Sequence, residues 1–463
     1  MAASILFVIA EMAPLIKIGG LADVGGALPR ALREMGLDVR VALPYYSSIE
    51  TEAQKLGDAG TGEIWRTSVH GVPVYLVEHK PSFGRDNVYG YDDDLERFLV
   101  FSSELVAGAD LLEWHPDVLH VNDWHPGFLT AHLLKGHAWA QSGRVTTIHN
   151  LAFTGPYDGG FASHDLAAVG HFSNAMALAI ANSDVVTTVS PTYAHEILDG
   201  SHDESIGEFL RSMGSSFNGI LNGLDGELFD PETDGSLAVN YTVETLDRRA
   251  QNKAALQNEV GLPIDQDVPL IGMVSRLFWQ KGIDIAAGAL DAVMQHRAAQ
   301  VVILGQGDEE NEGHAKELER RHPDQVAVRI GYDEALGQLI YGGCDIFLMP
   351  SRYEPCGVGQ MIAMRYGAIP VVRRTGGLAD SVSQYDASRD IGTGFIFDEA
   401  TATATRMAVD SALDVYGDRD SWRRLQQRAM RQEFSWASTA AAYRDVYSEA
   451  IALSEKRSAE VKR

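Results

Sequence analysis

The chain has 463 residues, of which 45% are hydrophobic and 22% charged, a globular composition that excludes disordered and fibrous classes. Its 38 lysines and arginines against 64 aspartates and glutamates give a net charge of −26, which disfavours nucleic acid or a membrane surface as the main partner. The length predicts two or three domains. The two cysteines predict a cytoplasmic protein without disulfides, and no apolar run is long enough to predict a membrane span.

The first half of the chain alternates short apolar runs with helical patterns. Each apolar run predicts a buried strand, and the stretch 21–35 predicts a helix after the first of them. In chain order the predicted strands are 5–9, 39–43, 74–77, 116–121, 145–148 and 185–189. This alternation predicts a parallel sheet covered by helices, with the chemistry at the carboxyl ends of the strands.

The second half repeats the pattern after a break. A polar stretch at 246–260 predicts a helix that stops at Gly261-Leu262-Pro263. The strands predicted beyond it are 270–274, 300–304, 326–330, 345–349, 369–372 and 394–397, and the tail 436–463 is helical and charged. We therefore predict an α/β protein with two Rossmann-like halves.

Five letters recur in the two halves. The run Gly19-Gly20-Leu21-Ala22-Asp23 is repeated as Gly376-Gly377-Leu378-Ala379-Asp380. Either both halves direct a glycine-rich turn and a helix start toward one cleft, or the match reflects chance or unrelated packing.

The first copy follows Lys17, between the first predicted strand and the first helix. Gly19 and Gly20 permit a sharp turn and a close approach to a ligand, the helix start offers free N–H groups, and Lys17 adds a positive charge. This combination suits a phosphate, although strand–glycine–helix turns often only pack.

Two further segments carry candidate chemistry. Arg276 and Lys281 follow the strand 270–274, and cations at a strand end in so acidic a chain favour a pocket for an anion. Glu354 begins a turn that reaches a helix start near Gln360, a pattern that can hold a sugar hydroxyl beside a phosphate. Together these segments predict a diphosphate held between two domains.

Two other motifs indicate less. Asp92-Asp93-Asp94 could hold a metal-bound diphosphate, but these acids lead into a helical pattern, where they favour the helix N-terminus. Gly305-Gln306-Gly307 follows a strand, yet Glu310 replaces the third glycine of a dinucleotide fingerprint, which argues against a nicotinamide-dependent dehydrogenase.

With these residues assembled, the chain resembles bacterial glycogen synthases and plant starch synthases, the retaining glucosyltransferases that use ADP-glucose. The resemblance implies a GT-B fold, two Rossmann-like domains with parallel sheets facing a central cleft. The expected domains are 1–240 on the acceptor side and 241–439 for the nucleotide sugar, with the helix at about 440–463 crossing back to the first. The matching segments, in order, are 11–23, 120–125, 147–150, 189–193, 220–223, 275–277 with 280–282, 351–357 and 373–380.

The resemblance also implies a role for each candidate residue. Arg276 and Lys281 would stabilise the charge on departing ADP, the task a metal performs elsewhere, so that no metal or other cofactor is expected. The residues expected to be catalytic are Lys17, His149, Arg276, Lys281 and Glu354. The donor would also contact Gly19, Gly20, Tyr332, Cys356, Gly357, Val358 and Gly359. The residues expected on the acceptor side are Glu11, Asp123, Trp124 and Asn150. The expected reaction transfers glucose from ADP-glucose, or UDP-glucose, to the non-reducing end of an α-1,4-glucan.

The chain departs from the family pattern at a few positions. Gly359 stands where the family has threonine, and Phe278-Trp279 replace smaller polar residues. The segment 153–183, on the acceptor side, is shorter than in the family and lacks its aromatic, asparagine and lysine pattern. A GT-B paralogue with another acceptor, or a non-catalytic nucleotide-sugar or glucan-binding protein, therefore stays open as an alternative.

Overall fold

A computed structural model of the chain describes residues 2–132, 138–155, 174–200 and 204–461. These residues form two compact units. The first unit comprises Met1–Gly223 and Trp436–Arg463, and the second comprises Leu224–Ser435. Within the described ranges, no helix is both long enough and apolar enough to cross a membrane.

The first unit contains a nine-stranded sheet in the order β3-β4-β5-β2-β1-β6-β7-β8-β9. From β5 to β9 every neighbouring pair is parallel, and β1, β6 and β7 are buried along almost their whole length, as expected for strands covered on both faces. The strands are β1 (Ser4–Val8), β2 (Asp38–Pro44), β3 (Gln54–Ala59), β4 (Gly62–Val69), β5 (Val72–Glu78), β6 (Val118–Asn122), β7 (Gly143–Ile148), β8 (Val185–Thr188) and β9 (Phe217–Gly219).

Three of these strands were not predicted from the sequence. β3 and β4 form an antiparallel ribbon at one edge of the sheet, and β9 is a three-residue strand at the other. The side chains of β3 and β4 are mostly exposed or half-buried, so neither strand shows the continuous apolar run that marks the central strands.

The helices cover the two sheets and connect their strands. Those of the first unit are α1 (Gly20–Glu34), α2 (Lys80–Phe83), α3 (Asp94–Ala107), α4 (Phe128–His132), α5 (Ala175–Ala181), α6 (Pro191–Leu198), α7 (Glu204–Met213) and the C-terminal α16 (Trp436–Val461). Those of the second unit are α8 (Arg249–Val260), α9 (Ile283–Met294), α10 (Glu309–Arg321), α11 (Glu334–Gly343), α12 (Gly359–Arg365), α13 (Gly376–Ser381), α14 (Ala402–Tyr416) and α15 (Arg419–Met430).

The C-terminal helix α16 is bound to the first sheet through buried polar side chains. The Tyr447 hydroxyl lies 2.9 Å from Nδ1 of His120 on β6, and Nε2 of that imidazole lies 2.6 Å from the Thr147 hydroxyl on β7. Tyr443 reaches the same Thr147 hydroxyl at 3.2 Å. Burial lowers the pKa of His120 well below its usual value, so this network holds a neutral imidazole.

The second unit contains a six-stranded, wholly parallel sheet in the order β12-β11-β10-β13-β14-β15. Each strand coincides with a predicted apolar run to within one or two residues. The strands are β10 (Leu270–Val274), β11 (Gln300–Gly305), β12 (Val326–Ile330), β13 (Ile346–Met349), β14 (Ile369–Arg373) and β15 (Phe395–Phe397). The strands β10 and β13 lie side by side at the centre, where the sheet order reverses direction along the chain.

The boundary between the units differs from the one predicted at 240/241. It lies at Gly223/Leu224, because the segment that follows bonds to helices of the second unit. Ser236 donates to Oε1 of Gln338 on α11 at 2.6 Å, and the backbone of Val239 exchanges two hydrogen bonds with the Asn252 side chain on α8. This segment has neither helical nor strand periodicity, so the sequence alone gave no sign of these contacts.

Candidate active site

Two residues predicted for the acceptor side and one predicted to be catalytic lie together in the first unit. Glu11, Asp123 and His149 follow β1, β6 and β7, which are neighbours in the sheet, so their carboxyl ends meet at one edge. Glu11 and Asp123 are buried, at 3% and 8% exposure.

Asp123 connects two of these strand ends. Its Oδ1 accepts hydrogen bonds from the backbone N–H groups of His149 at 2.7 Å and Asn150 at 3.4 Å. Its own backbone has a φ of 59°, a left-handed conformation that costs a non-glycine residue free energy and recurs at functional sites. Burial, together with the nearby Glu11 charge, raises the pKa of Asp123 to about 7.

The His149 side chain is held inside the site. Its Nε2 lies 3.0 Å from Oδ1 of Asn122, an oxygen that can only accept, so this nitrogen carries the proton. Burial lowers the pKa of His149 to about 3, and the imidazole is therefore neutral at physiological pH. His149 brings no positive charge to the site.

Glu11 binds the loop that precedes α1. Its Oε2 accepts the N–H groups of Ile18 at 2.6 Å and Gly19 at 2.9 Å, and its Oε1 accepts the hydroxyl of Tyr89 at 2.8 Å. The sequence predicts free N–H groups for a phosphate at the start of α1. The N–H groups of Ile18 and Gly19, just before that start, are bound by the Glu11 carboxylate instead.

The remainder of this loop is open. The Lys17 ammonium lies 2.7 Å from Oδ1 of Asp23, and both side chains are more than 40% exposed. A Cβ atom placed on Gly19 or Gly20 would meet no atom within 4 Å. The backbone at both glycines is therefore accessible to a ligand.

Trp124 has a different environment from the one expected for a sugar-binding ring. It is 9% exposed and stacks on His125 with ring centroids 4.2 Å apart, while Phe98 approaches it edge-on at 5.3 Å. Its contacts are those of a packing residue. Tyr89, whose ring lies 5.0 Å from His125, was not predicted, since no motif links it to Glu11.

In the second unit, the candidate donor residues Lys281 and Glu354 meet directly. They follow β10 and β13, and the Lys281 ammonium lies 2.6 Å from Oε2 of Glu354. The Ser351 hydroxyl donates to the same oxygen at 3.0 Å. The side chains of Lys281 and Glu354 are 17% and 7% exposed, so this is a largely buried, hydrogen-bonded ion pair.

Arg276 lies on the same loop but is exposed. Its guanidinium carbon is 5.8 Å from the ring centroid of Phe278, and it forms no hydrogen bond or ion pair with another described residue. A cation in this state is available to an anionic ligand.

The turn from Glu354 to Gly359 is supported from behind by the second copy of the repeat. The Gly377 N–H donates to the carbonyls of Glu354 at 3.1 Å and Pro355 at 3.2 Å, and a methyl group on Gly377 would overlap the Cys356 carbonyl. The two copies therefore differ in use: Gly19 and Gly20 face open space, whereas Gly376 and Gly377 pack against the turn. Of the two interpretations left open, this favours unrelated packing.

The turn itself leads into α12. Cys356 is buried, Gly357 has a φ of 69°, Val358 is half-buried and Gly359 is the first residue of the helix. A left-handed φ at Gly357 explains the glycine there.

Tyr332 is not brought to this pair by any contact. It follows β12, which is separated from β10 by β11, and its side chain is 76% exposed.

Two of the three acids 92–94 serve the fold. Helix α3 begins at Asp94, and the Asp93 carboxylate forms two 2.6 Å hydrogen bonds with Arg85. Asp94 accepts the Gly90 N–H at 2.7 Å and pairs with the buried Arg97. Across the described ranges, no group of three or more histidine, cysteine, aspartate or glutamate side chains could hold a metal ion.

The acceptor segment predicted at 153–183 is described only in part. Residues 156–173 lie outside the described residues, and the rest of the segment includes α5, whose start is capped by the Asn174 side chain.

Comparison with known proteins identifies the family to which these two α/β units belong. A family model for the starch synthase catalytic domain matches residues 4–212, and one for glycosyl transferases group 1 matches residues 257–429. The chain is 43% identical to the glycogen synthase of Gloeobacter violaceus over 97% of its own length and 99% of that protein. The chain belongs to the glycogen and starch synthase family.

Other relatives extend the likeness. The glycogen synthase 1 of Synechocystis is 38% identical over 98% of this chain and 96% of that one. The catalytic domain of starch synthase IV from Arabidopsis thaliana, solved with ADP and acarbose, is 31% identical, with a TM-score of 0.89 over 98% of this chain and all of that one. Sucrose-phosphate synthase from Thermosynechococcus elongatus, at 16% identity and a TM-score of 0.65, shares the fold. The family and its GT-B fold identify the chain as a glycosyltransferase.

Proposed function

We propose that the chain is a retaining glucosyltransferase that transfers glucose from ADP-glucose to the non-reducing end of an α-1,4-glucan. The observation that carries this proposal is the Lys281–Glu354 pair beside the exposed Arg276, at the carboxyl ends of the adjacent strands β10 and β13. Cations and a carboxylate in contact suit a substrate that is both a diphosphate and a sugar.

The donor is recognised by these groups in different ways. Arg276 has no hydrogen-bond or ion-pair partner among the described residues, so it binds the diphosphate without breaking such a bond. Lys281 is already paired, and its ammonium has two further N–H donors for phosphate oxygens while Glu354 keeps the first. In a chain of net charge −26, these cations supply a local attraction that the surface as a whole does not. The structural relative from Arabidopsis was solved with ADP, which supports this nucleotide.

Catalysis follows from the charge that develops when the glycosidic bond to ADP breaks. Arg276 and Lys281, fixed before the reaction, stabilise negative charge on the leaving phosphate more than they stabilise the bound substrate. Two cations at this position perform the task of a divalent metal, so the reaction requires none.

Retention by front-face attack is the mechanism that the family resemblance implies, and we adopt it here. Oε2 of Glu354 is bound by Lys281 and Ser351, and Oδ1 of Asp123 by two backbone N–H groups, so in our proposal both carboxylates position neighbouring groups. In our proposal the leaving phosphate instead accepts the proton of the acceptor hydroxyl as the new bond forms on the same face.

The proposal of a glucan acceptor is supported by the family and by the polar site of the first unit. The Arabidopsis relative was solved with acarbose as well as ADP. Glu11, Asp123 and His149 lie at neighbouring strand ends of the first unit, and Asp123 accepts the His149 N–H, so this edge carries polar groups suited to sugar hydroxyls.

The direct test is an activity panel that crosses ADP-glucose and UDP-glucose with glycogen, maltooligosaccharides and small acceptors. We expect transfer from ADP-glucose to a glucan, with proton NMR showing a new α-1,4 linkage. No transfer from either donor, or a β-linked product, would overturn the proposal.

A further inference from the structure

Trp279 is an exposed tryptophan next to the candidate donor site. Its side chain is 61% exposed, an unusual state for the largest apolar residue. The adjacent Phe278 is also exposed, at 42%, and apolar groups exposed together mark binding surfaces more often than scattered ones do.

The ring is rigidly supported on one side. The Arg352 guanidinium carbon lies 4.6 Å from the centroid of the indole, and both ends of the guanidinium are bound by Asp284 at 2.8 and 2.7 Å. Arg352 also donates to the Trp279 carbonyl at 2.8 Å, and its own N–H donates to the Gln280 carbonyl at 2.8 Å. One face of the ring is therefore covered by a fixed cation, while more than half of the side chain stays open to a ligand.

The position of the ring relates it to the sugar end of the donor. Trp279 and Lys281 are two residues apart, so their Cα atoms lie within about 7 Å. Arg352, which supports the ring, lies two residues before Glu354, whose carboxylate the family resemblance places near the donor glucose. The same resemblance places Tyr332 near the adenine, and Tyr332 follows β12 on the far side of β11.

We propose that Trp279 is a specificity-determining residue that stacks on a glucose ring of the α-glucan acceptor. A glucose ring presents a face of C–H groups to the negative face of the indole, and stacking needs no charged partner. This inference rests on the proposed function, since it takes the acceptor to be a glucan bound beside the donor.

The test compares Trp279→Ser with Trp279→Phe, and uses Ile264→Ala as a matched control because Ile264 is equally exposed, at 60%, in the segment before β10. For Trp279→Ser we expect the KM for maltoheptaose to rise about fivefold to tenfold. The KM for ADP-glucose and the kcat at saturating acceptor should change less than about twofold, since the stacking energy is the same in ground and transition states. Trp279→Phe should retain most of the affinity, and the control should match the wild type.

Equilibrium binding separates this inference from the proposed function. Calorimetric titration with maltoheptaose, without donor, should show the same weakening for Trp279→Ser, whether or not transfer is measured. A wild type that transfers no glucose from any donor refutes the proposed function, while the titration still reports on Trp279. Unchanged maltoheptaose affinity and KM in a folded Trp279→Ser variant overturn the inference alone. A raised KM for ADP-glucose with an unchanged one for glucan also overturns it, and assigns the ring to the nucleotide.

Discussion

The ammonium of Lys281 lies 2.6 Å from the carboxylate of Glu354, and this contact joins residues 73 positions apart in the chain. In the absence of a donor each charge compensates the other in a largely buried place. Breaking the pair from either side leaves an uncompensated charge, so the two residues act as a unit. Arg276 is free of this constraint, which makes it the cleaner probe of donor binding.

We expect Arg276→Ala to lower kcat/KM by roughly 10²-fold or more, the usual cost of losing a preorganised stabiliser of developing charge. Its unfolding temperature should stay near that of the wild type, because Arg276 is exposed and has no hydrogen-bond or ion-pair partner among the described residues. Lys281→Ala should lower activity as much and also lower stability, since it leaves Glu354 buried and unpaired. Lys316→Ala, which removes an exposed lysine paired with Glu312 at 2.9 Å, is the control. Steady-state kinetics near wild-type values for both active-site variants would show that the diphosphate is bound elsewhere.

Activity should not depend on a divalent metal. Arg276 and Lys281 supply the positive charge at the leaving group, and Asp93 and Asp94 are neutralised by Arg85 and Arg97. Initial rates measured after treatment with a chelator should equal those of untreated enzyme. Loss of activity that Mg²⁺ or Mn²⁺ restores would refute the proposed charge stabilisation.

The two copies of the glycine repeat should respond differently to a methyl group. Gly377→Ala forces Cβ into the Cys356 carbonyl, displaces the Glu354 turn, and should destabilise the protein by about 1–3 kcal/mol with loss of activity. Gly19→Ala meets no atom within 4 Å and should leave the unfolding temperature unchanged. If the backbone at Gly19 approaches the donor, this variant will still raise the KM for ADP-glucose. Equal destabilisation by both substitutions would contradict the different roles assigned to the copies.

Asp123 should give the first unit a measurable pH dependence. Its pKa of about 7 in the folded state exceeds the ordinary value of 3.8, so between these pH values the folded chain binds a proton that the unfolded chain has released. Its contribution to the free energy of unfolding therefore falls as the pH rises from about 4 to 7. Relative to the wild type, Asp123→Asn should be more stable at pH 8 than at pH 5 in urea unfolding. Asp398→Asn, an exposed control, should show no such difference, and a pH-independent effect of Asp123→Asn would show that this carboxyl does not titrate near 7.

Tyr447→Phe should destabilise the protein without touching the substrate sites. It removes the hydroxyl 2.9 Å from Nδ1 of His120 and leaves a buried ring nitrogen without that partner, at a cost of about 1–3 kcal/mol. Urea unfolding measures the loss. Tyr332→Phe, at a residue that is 76% exposed, serves as the stability control. A Tyr447→Phe variant as stable as the wild type would mean that the hydroxyl contributes nothing to the attachment of α16.

The sequence was sufficient for those parts of the fold that are buried on both faces. The six strands of the second sheet are continuous apolar runs, and each was predicted. The edge strands β3 and β4 were missed because their half-exposed side chains carry no such signal.

The site was predicted unevenly for a related reason. Functional side chains gather at the carboxyl ends of parallel strands, and this rule predicted that Lys281 and Glu354 lie at one edge of the sheet. The rule does not predict that these two side chains form an ion pair. The bond from Glu11 to the Ile18 and Gly19 N–H groups depends on how a loop folds back on itself, which no periodicity records.

The discontinuous first unit constrains how the protein is made. Synthesis runs from the N-terminus, so the whole second unit, Leu224–Ser435, leaves the ribosome before α16. Until then His120 and Thr147 lack Tyr443 and Tyr447, their partners on that helix. The nascent chain can therefore fold its second unit before the first unit has its last helix. A chain that ends before Trp436 lacks α16, and the first sheet then loses the helix that packs on β6 and β7.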